Sequence, residues 1–372
     1  MRASERDCGG RSGLAMTPGA RHSRGSGLSA AVPDLIPSII RAMPSVSLTD
    51  SIAARFLRFA AAEADGSSPL YAALARGVAA DPFALGFLAG LPSDKRQPNL
   101  MFAALRHVCG TPSDWPRARA TLRANAEPVR AVMLARRTQT NEPARCATLL
   151  PVLARLKAPL ALLEVGASAG LCLLPDHYGY AYGSHQIAAA SPDAPTFPAR
   201  ANDATPLPVA CPPIAWRAGL DLAPIKLRDP EQAAWLETLV WPEHTKRLRR
   251  LRAAIRLGQA EPPPLHQGDL LSDLAAVACT VPAGATLVVF HSAVLAYVRN
   301  TTDRRRFAAA VRDLGAVWVS NEAPGVFPAI AARVTCRGRD GAFLLAVDGT
   351  PVAWTHPHGA WIDWLEPGAV SD

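Results

Sequence analysis

The chain has 372 residues, 49% of them apolar, which is enough to bury a full core and by length to form two domains. No window reaches the roughly 18 uninterrupted apolar residues of a membrane-spanning helix, so neither a span nor a membrane partner is expected. The net charge of +8 does not point to specific nucleic-acid binding: residues 1–42 hold an excess of Arg over Glu5, Asp7 and Asp34, and the remainder is thin.

Residues 1–42 are rich in Gly, Ser, Arg and Pro without periodicity, and are expected to be a disordered or non-native extension. They lack the apolar core of a signal peptide. Met43 is a candidate start, and a mitochondrial-type presequence is the competing reading. Residues 43–145 read as a helical N-terminal domain, with helices from Leu48, from Pro69 to Val78, after Asp81-Pro82, over Asn99–His107 and over Trp115–Arg137. A polar stretch, Thr138-Gln139-Thr140-Asn141-Glu142, follows. It is either a solvated connection with a helix cap or a lid that brings Thr138, Gln139, Asn141 and Glu142 to a ligand as substrate contacts.

Residues 146–372 alternate strand and helix. A buried helix from Cys146 leads to the strand Leu160–Val165 and the turn Gly166-Ala167-Ser168-Ala169-Gly170. A Pro-rich insertion spans about residues 175–213. Strands follow at Ile214–Leu220, Leu265–Leu270, Ala285–Phe290 and Ala316–Val319, separated by helices, one of which carries a basic face at Lys246–Arg256. This order predicts a mostly parallel sheet with right-handed crossovers. Asp348-Gly349 between two apolar runs predicts a closing antiparallel hairpin.

In open parallel sheets, ligands bind outside the carboxyl ends of the strands. Short acids, hydroxyls and glycines cluster at those ends here: Glu164, Gly166, Ser168 and Gly170; Asp221; Asp269; His291 and Ser292; Asn321 and Glu322. Glycines allow close backbone approach, and carboxylates suit ribose hydroxyls or an amino group. His291 is the candidate general base. Ser292 would orient the substrate or cap the next helix. Asn321 and Glu322 would bind a substrate amine or hydroxyl, or else join a network with Arg217 or Asn141. His356 and His358 lack a third placed ligand, so no metal is expected. Seven dispersed cysteines without a Cys-x-x-Cys pair argue against zinc and disulfides and for a cytoplasmic location.

The Glu-x-Gly-x-x-x-Gly turn, the Gly268-Asp269 pair and the terminal hairpin resemble the Rossmann-like fold of S-adenosylmethionine-dependent methyltransferases. That resemblance implies that Glu164, Gly166, Ser168 and Gly170 hold the amino-acid part of the cofactor, Asp221 the ribose, and Asp269 the adenine. More specifically, Ser67-Ser68-Pro69-Leu70-Tyr71, Thr138–Glu142, Trp216–Asp221, Leu239-Val240-Trp241-Pro242-Glu243 and Val289–Leu295 resemble the bacterial family called domain of unknown function 2332, over about residues 56–365. Two departures from the methyltransferase pattern stand out: Ser168 replaces the middle glycine, and Asp221 lies far beyond the roughly 20-residue spacing usual for a ribose-binding acid. A third, from the narrower family, is Cys172, where Asn is favoured.

The leading expectation is a methyltransferase using S-adenosylmethionine on an unknown small molecule. The alternatives are a non-catalytic ligand-binding or regulatory protein on a degenerate methyltransferase fold, and an NAD-type oxidoreductase. The turn lacks the Gly-x-Gly-x-x-Gly fingerprint of the last.

Overall fold

The computed structural model describes residues 47–370 except Thr140, and these belong to one compact unit. The expectations for residues 1–42 and Met43 lie outside the described residues. Among the described residues no single helix is long and apolar enough to cross a membrane.

Six helices come first: α1 (Leu48–Phe59), α2 (Pro69–Ala79), α3 (Pro82–Ala89), α4 (Pro98–Cys109), α5 (Trp115–Ala124) and α6 (Ala126–Ala135). Their starts follow local chemistry. Ser47 and Asp50 form a capping box on α1, Ser68 and Asp81 cap α2 and α3, and Pro occupies the first turn of α2 to α5. The single helix expected over Trp115–Arg137 is two, broken at Asn125, whose side chain donates to the Thr121 carbonyl. Apolar faces converge on Phe56, Tyr71, Leu74, Phe102 and Met133.

The remaining elements are α7 (Cys146–Leu153), β1 (Leu160–Val165), β2 (Gly179–Tyr182), β3 (His185–Ile187), β4 (Thr196–Pro198), β5 (Arg200–Ala201), β6 (Ile214–Asp221), α8 (Pro230–Thr238), α9 (Thr245–Ala260), β7 (Leu265–Gln267), α10 (Leu274–Ala278), β8 (Thr286–Ser292), α11 (Thr301–Asp313), β9 (Val317–Glu322), α12 (Pro328–Ala331), β10 (Phe343–Val347), β11 (Thr350–Thr355) and β12 (Trp361–Trp364). The fold is α/β. One nine-stranded sheet has the order β5-β12-β11-β10-β9-β8-β1-β6-β7, and β3-β2-β4 make a small second sheet. The strands from β7 to β9 are all parallel, with β1 paired to β6 on one side and β8 on the other. The hairpin forms through Asp348 (φ 50°) and Gly349 (φ 77°), the two positive-φ residues of a type I′ turn. It does not close the sheet, because β12 and then β5 add beyond it. The Pro-rich insertion is also more ordered than expected, since it supplies both β5 and the small sheet.

Side-chain alternation along β1 divides the core. Leu160 and Leu162 face a cluster with α7, α9 and the small sheet, while Leu163 and Val165 face α10 and α11. Burial on both faces explains its unbroken apolar run.

The helical layer is tied to the α8–α9 connection by polar contacts. Glu243 accepts from the Ser68 hydroxyl at 2.7 Å and the Leu70 amide at 3.0 Å, and Arg106 donates to the Thr238 and Val240 carbonyls and to the Tyr71 hydroxyl. Trp235 of α8 completes the helical core. Glu243→Ala should therefore lower unfolding stability by about 1–2 kcal/mol, a partly solvated share of the value of hydrogen bonds to a charged group. Urea denaturation would show the midpoint falling at constant slope. An unchanged midpoint would mean that these bonds do not hold the layer.

Candidate functional site

The turn after β1 is built on backbone that resists ordinary side chains. Gly166 and Gly170 both have φ 71°, and Ser168, a non-glycine, has φ 53°. A Cβ on Gly166 would lie 2.3 Å from Val294, and one on Gly170 2.7 Å from Pro263. Most of the turn's amides are already used. Gly166 and Ala167 donate to the Leu220 carbonyl, Gly170 to the Ala167 carbonyl, and Ser168 to an Asp221 carboxylate oxygen at 2.8 Å. Asp221 thus reaches the turn despite being 53 residues from Ser168, because β6 pairs directly with β1 and the insertion loops out between them. Its carboxylate is occupied by the amides of Ser168 and Ala223 and by the Gln139 side chain, which makes it an anchor for the turn.

The polar stretch before α7 lies across this turn as a strap. Asn141 donates to the Ala167 carbonyl and accepts from the Leu171 amide at 2.8 Å, spanning the turn with one side chain. Glu142, buried, forms an ion pair with Arg247 at the start of α9, and His358 lies 3.9 Å away. Gly359 brings the following chain so close that a Cβ there would meet the Ala144 carbonyl at 2.0 Å. Thr138 is not part of this contact. Its hydroxyl donates to Gln97 in the helical layer.

Arg145, absent from the sequence-based set, continues the strap inward and donates to the Pro357 and Ser292 carbonyls at 2.8 and 3.1 Å. The signal for it was a lone Arg opening an apolar helix.

Among the described residues six buried polar side-chain atoms lack a hydrogen-bond partner: Trp354 Nε1 in β11, Asn321 Nδ2 and Glu322 Oε2 at the end of β9, and Glu164 Oε2, Ser168 Oγ and Ser292 Oγ. The last three belong to the end of β1, its turn, and the end of the adjacent β8, where strand order reverses direction. Burial pushes the Glu164 carboxyl well above the usual carboxylate range; Cys172 and Asp221 add to the push and Arg145 opposes it. The carboxyl is thereby biased to its neutral form unless a cation arrives. Ser292 is the last residue of β8 and caps no helix, since α11 is capped by Asn300.

His291 does not have the freedom of a general base. It is fully buried inside β8, not beyond it. Its Nδ1–H donates to Glu322 at 2.7 Å, its Nε2 accepts from the Trp318 indole at 3.0 Å, and Phe307 and Phe327 enclose the ring. With both nitrogens engaged and no face open, this arrangement corrects the catalytic assignment. Glu322 also accepts from the Val294 and Leu295 amides, so it fixes the loop after β8. The void beside it, about 10 Å³, is water-sized. Asn321 accepts from Thr355 and is fully buried. Each nonetheless keeps one buried polar atom without a partner, Asn321 Nδ2 and Glu322 Oε2, at the end of β9. Arg217 is not their partner, because it forms a two-pronged pair with Asp176. Asp269 is exposed in the turn after the edge strand β7 and accepts from the Leu271 amide, with β6 between it and β1. Among the described residues no three His, Cys, Asp or Glu side chains gather as a metal-ligand set.

These features define an α/β protein whose largely parallel sheet gathers buried, unpaired polar groups at the carboxyl ends of its central strands. A bacterial family described as "Uncharacterized protein conserved in bacteria (DUF2332)" matches residues 53–364, and the chain belongs to it. No curated protein and no solved structure matches the chain.

The state of Glu164 has a measurable consequence. Its folded value is raised, so wild-type stability falls as pH rises from the unfolded value near 4.5 through the folded one. Glu164→Gln removes that titration. Its thermal midpoint should gain progressively on the wild type as pH rises above about 4.5, until the folded wild-type carboxyl ionises. Parallel curves would mean that the folded protein already carries this carboxyl ionised.

Proposed function

We propose that the chain is an S-adenosylmethionine-dependent methyltransferase acting on a small molecule in the cytoplasm. The observation that carries this reading is the chemistry of the unpaired atoms at the ends of β1 and β8: one carboxyl acceptor, Glu164, and two hydroxyl donors, Ser168 and Ser292. An amino acid's ammonium and carboxylate need that complement. The parallel strands run β7-β6-β1-β8-β9, the 3-2-1-4-5 order of nucleotide-binding Rossmann-like sheets, and the unpaired atoms lie at the reversal between β1 and β8. Because the turn's amides are largely consumed internally, the site fits a ligand held by side chains better than a pyrophosphate cradled by backbone. This disfavours the NAD alternative.

When bound, the cofactor would supply an electrophilic methyl group. The chain's own contributions are more specific. Glu164 holds the ammonium, Ser168 and Ser292 hold the carboxylate, and Asp221 keeps the turn in its positive-φ shape. His291 and Glu322 position the loop after β8. Glu164, Ser168 and Ser292 are only 5%, 5% and 8% exposed, so the strap carrying Asn141 and Glu142 acts as the lid and must move to admit a ligand. The saturated His291 ring favours a second reading, a non-catalytic protein that binds the same ligand.

Titration calorimetry with S-adenosylmethionine and S-adenosylhomocysteine tests the proposal. Glu164→Gln and Ser292→Ala should each weaken binding about tenfold or more, the scale of a hydrogen bond to a charged group. Absence of binding by both compounds overturns the reading. Binding without any labelled product, after incubation with methyl-labelled cofactor and a bacterial small-molecule extract, would favour the second.

A further inference from the structure

Helix α9 opens on Thr245-Lys246-Arg247-Leu248-Arg249-Arg250-Leu251-Arg252, with no acid in its first turn. Lys246 and Arg247, in the first turn, oppose the helix dipole, so their placement costs stability. Two of the segment's charges are neutralised: Arg247 pairs with Glu142, and Arg252 with Glu237. Among the described residues, Lys246, Arg249 and Arg250 have no ion pair. These three line a cleft of about 320 Å³ between α9 and the segment Asp193–Thr196, with Ala194, Pro195 and Ala253 as its apolar surface. Burial lowers the pKa of Arg250, and the neighbouring Arg249 and Arg247 push the same way against Glu142. The three cations converge on one open concavity instead of spreading around the helix, which a merely solvated basic face does not require.

We propose that this cleft binds a small, multiply charged anion of the phosphate-ester class through Lys246, Arg249 and Arg250. The volume lies at the lower end of small-ligand sites, about 300–1,000 Å³. Guanidinium groups present paired N–H donors that match phosphate oxygens, and Lys246 adds a compact charge. Asp193, across the cleft, opposes a bare anion and can accept from a hydroxyl of the ester's organic part. The site is separate from the crevice at Glu164, so it stands or falls independently of the methyltransferase reading.

Equilibrium dialysis of the full chain with inorganic pyrophosphate tests it. Saturable binding is expected, weakening as salt rises. The double variant Arg249→Ala/Arg250→Ala should lose about tenfold or more in affinity, the scale of charge-assisted contacts. Arg256→Ala removes the same charge from the same helix outside the cleft and should leave affinity nearly unchanged. Asp193→Asn, which removes the one opposing carboxylate without shortening the side chain, should tighten binding, and it keeps the test decisive should the double variant misfold. No saturable binding, an equal loss in Arg256→Ala, or no gain in Asp193→Asn would each overturn the proposal.

Discussion

The arrangement at the crevice depends on the bend of the chain immediately after β1. β1 is locked between β6 and β8, and in the bend that follows it a side chain at position 166 would meet Val294 and one at position 170 would meet Pro263. Glycine at positions 166 and 170 meets that demand at no steric cost, whereas Ser168 meets it at positive φ and is held there by the Asp221 carboxylate on its amide. The bend leaves the Ser168 hydroxyl buried without a partner and brings it to the same strand ends as Glu164 and Ser292. Unsatisfied buried polar groups carry a cost of about 1–3 kcal/mol each, and five of the six among the described residues lie at the carboxyl ends of β1, β8 and β9.

The strap gives the bend its second support. Asn141 ties both ends of the turn through one amide, and Glu142 fastens the strap to α9 through a buried ion pair. Removing either partner of such a pair leaves an uncompensated charge, so Glu142 and Arg247 are mutually required. The strings Ser67–Tyr71 and Leu239–Glu243 do a comparable task at a distance, since Glu243 and Arg106 bind the helical layer to the chain entering α9. The distinctive sequence strings therefore divide into those that brace α9 and those that shape the turn.

Much of the fold could be read from the chain because periodicity and punctuation act locally. The apolar run of β1, the Asp348-Gly349 hairpin and the Ser and Asp helix caps all appeared where their chemistry places them. What could not be read depended on contacts distant in sequence. His291 looked like a catalytic imidazole at a strand end until β8 proved two residues longer, with Trp318 and Glu322 from β9 meeting its nitrogens. The gap before Asp221 suggested misplacement, but strand pairing erases sequence distance. Asp269 stands at the end of β7, the edge strand, exposed and two strands from β1, an arrangement that strand order and not sequence spacing decides. Arg145 went unread because nothing local distinguishes an Arg that crosses to Pro357 and Ser292 from one that reaches solvent.

Net charge shows the same limit of averages. An excess of +8 over 372 residues is too dilute to identify an anionic partner, and a basic helix face is by default a solvated one. Position changes the inference. On α9 the first two cations fall at the dipole's positive end, some cations are matched by Glu142 and Glu237, and others line a cleft with one facing acid, Asp193. The unmatched charges repel one another whether or not the chain is globally basic, and folding bears that cost. The same helix thus holds a paired guanidinium that closes the strap and unpaired ones that line the cleft. The difference between them lies only in which surface each side chain meets.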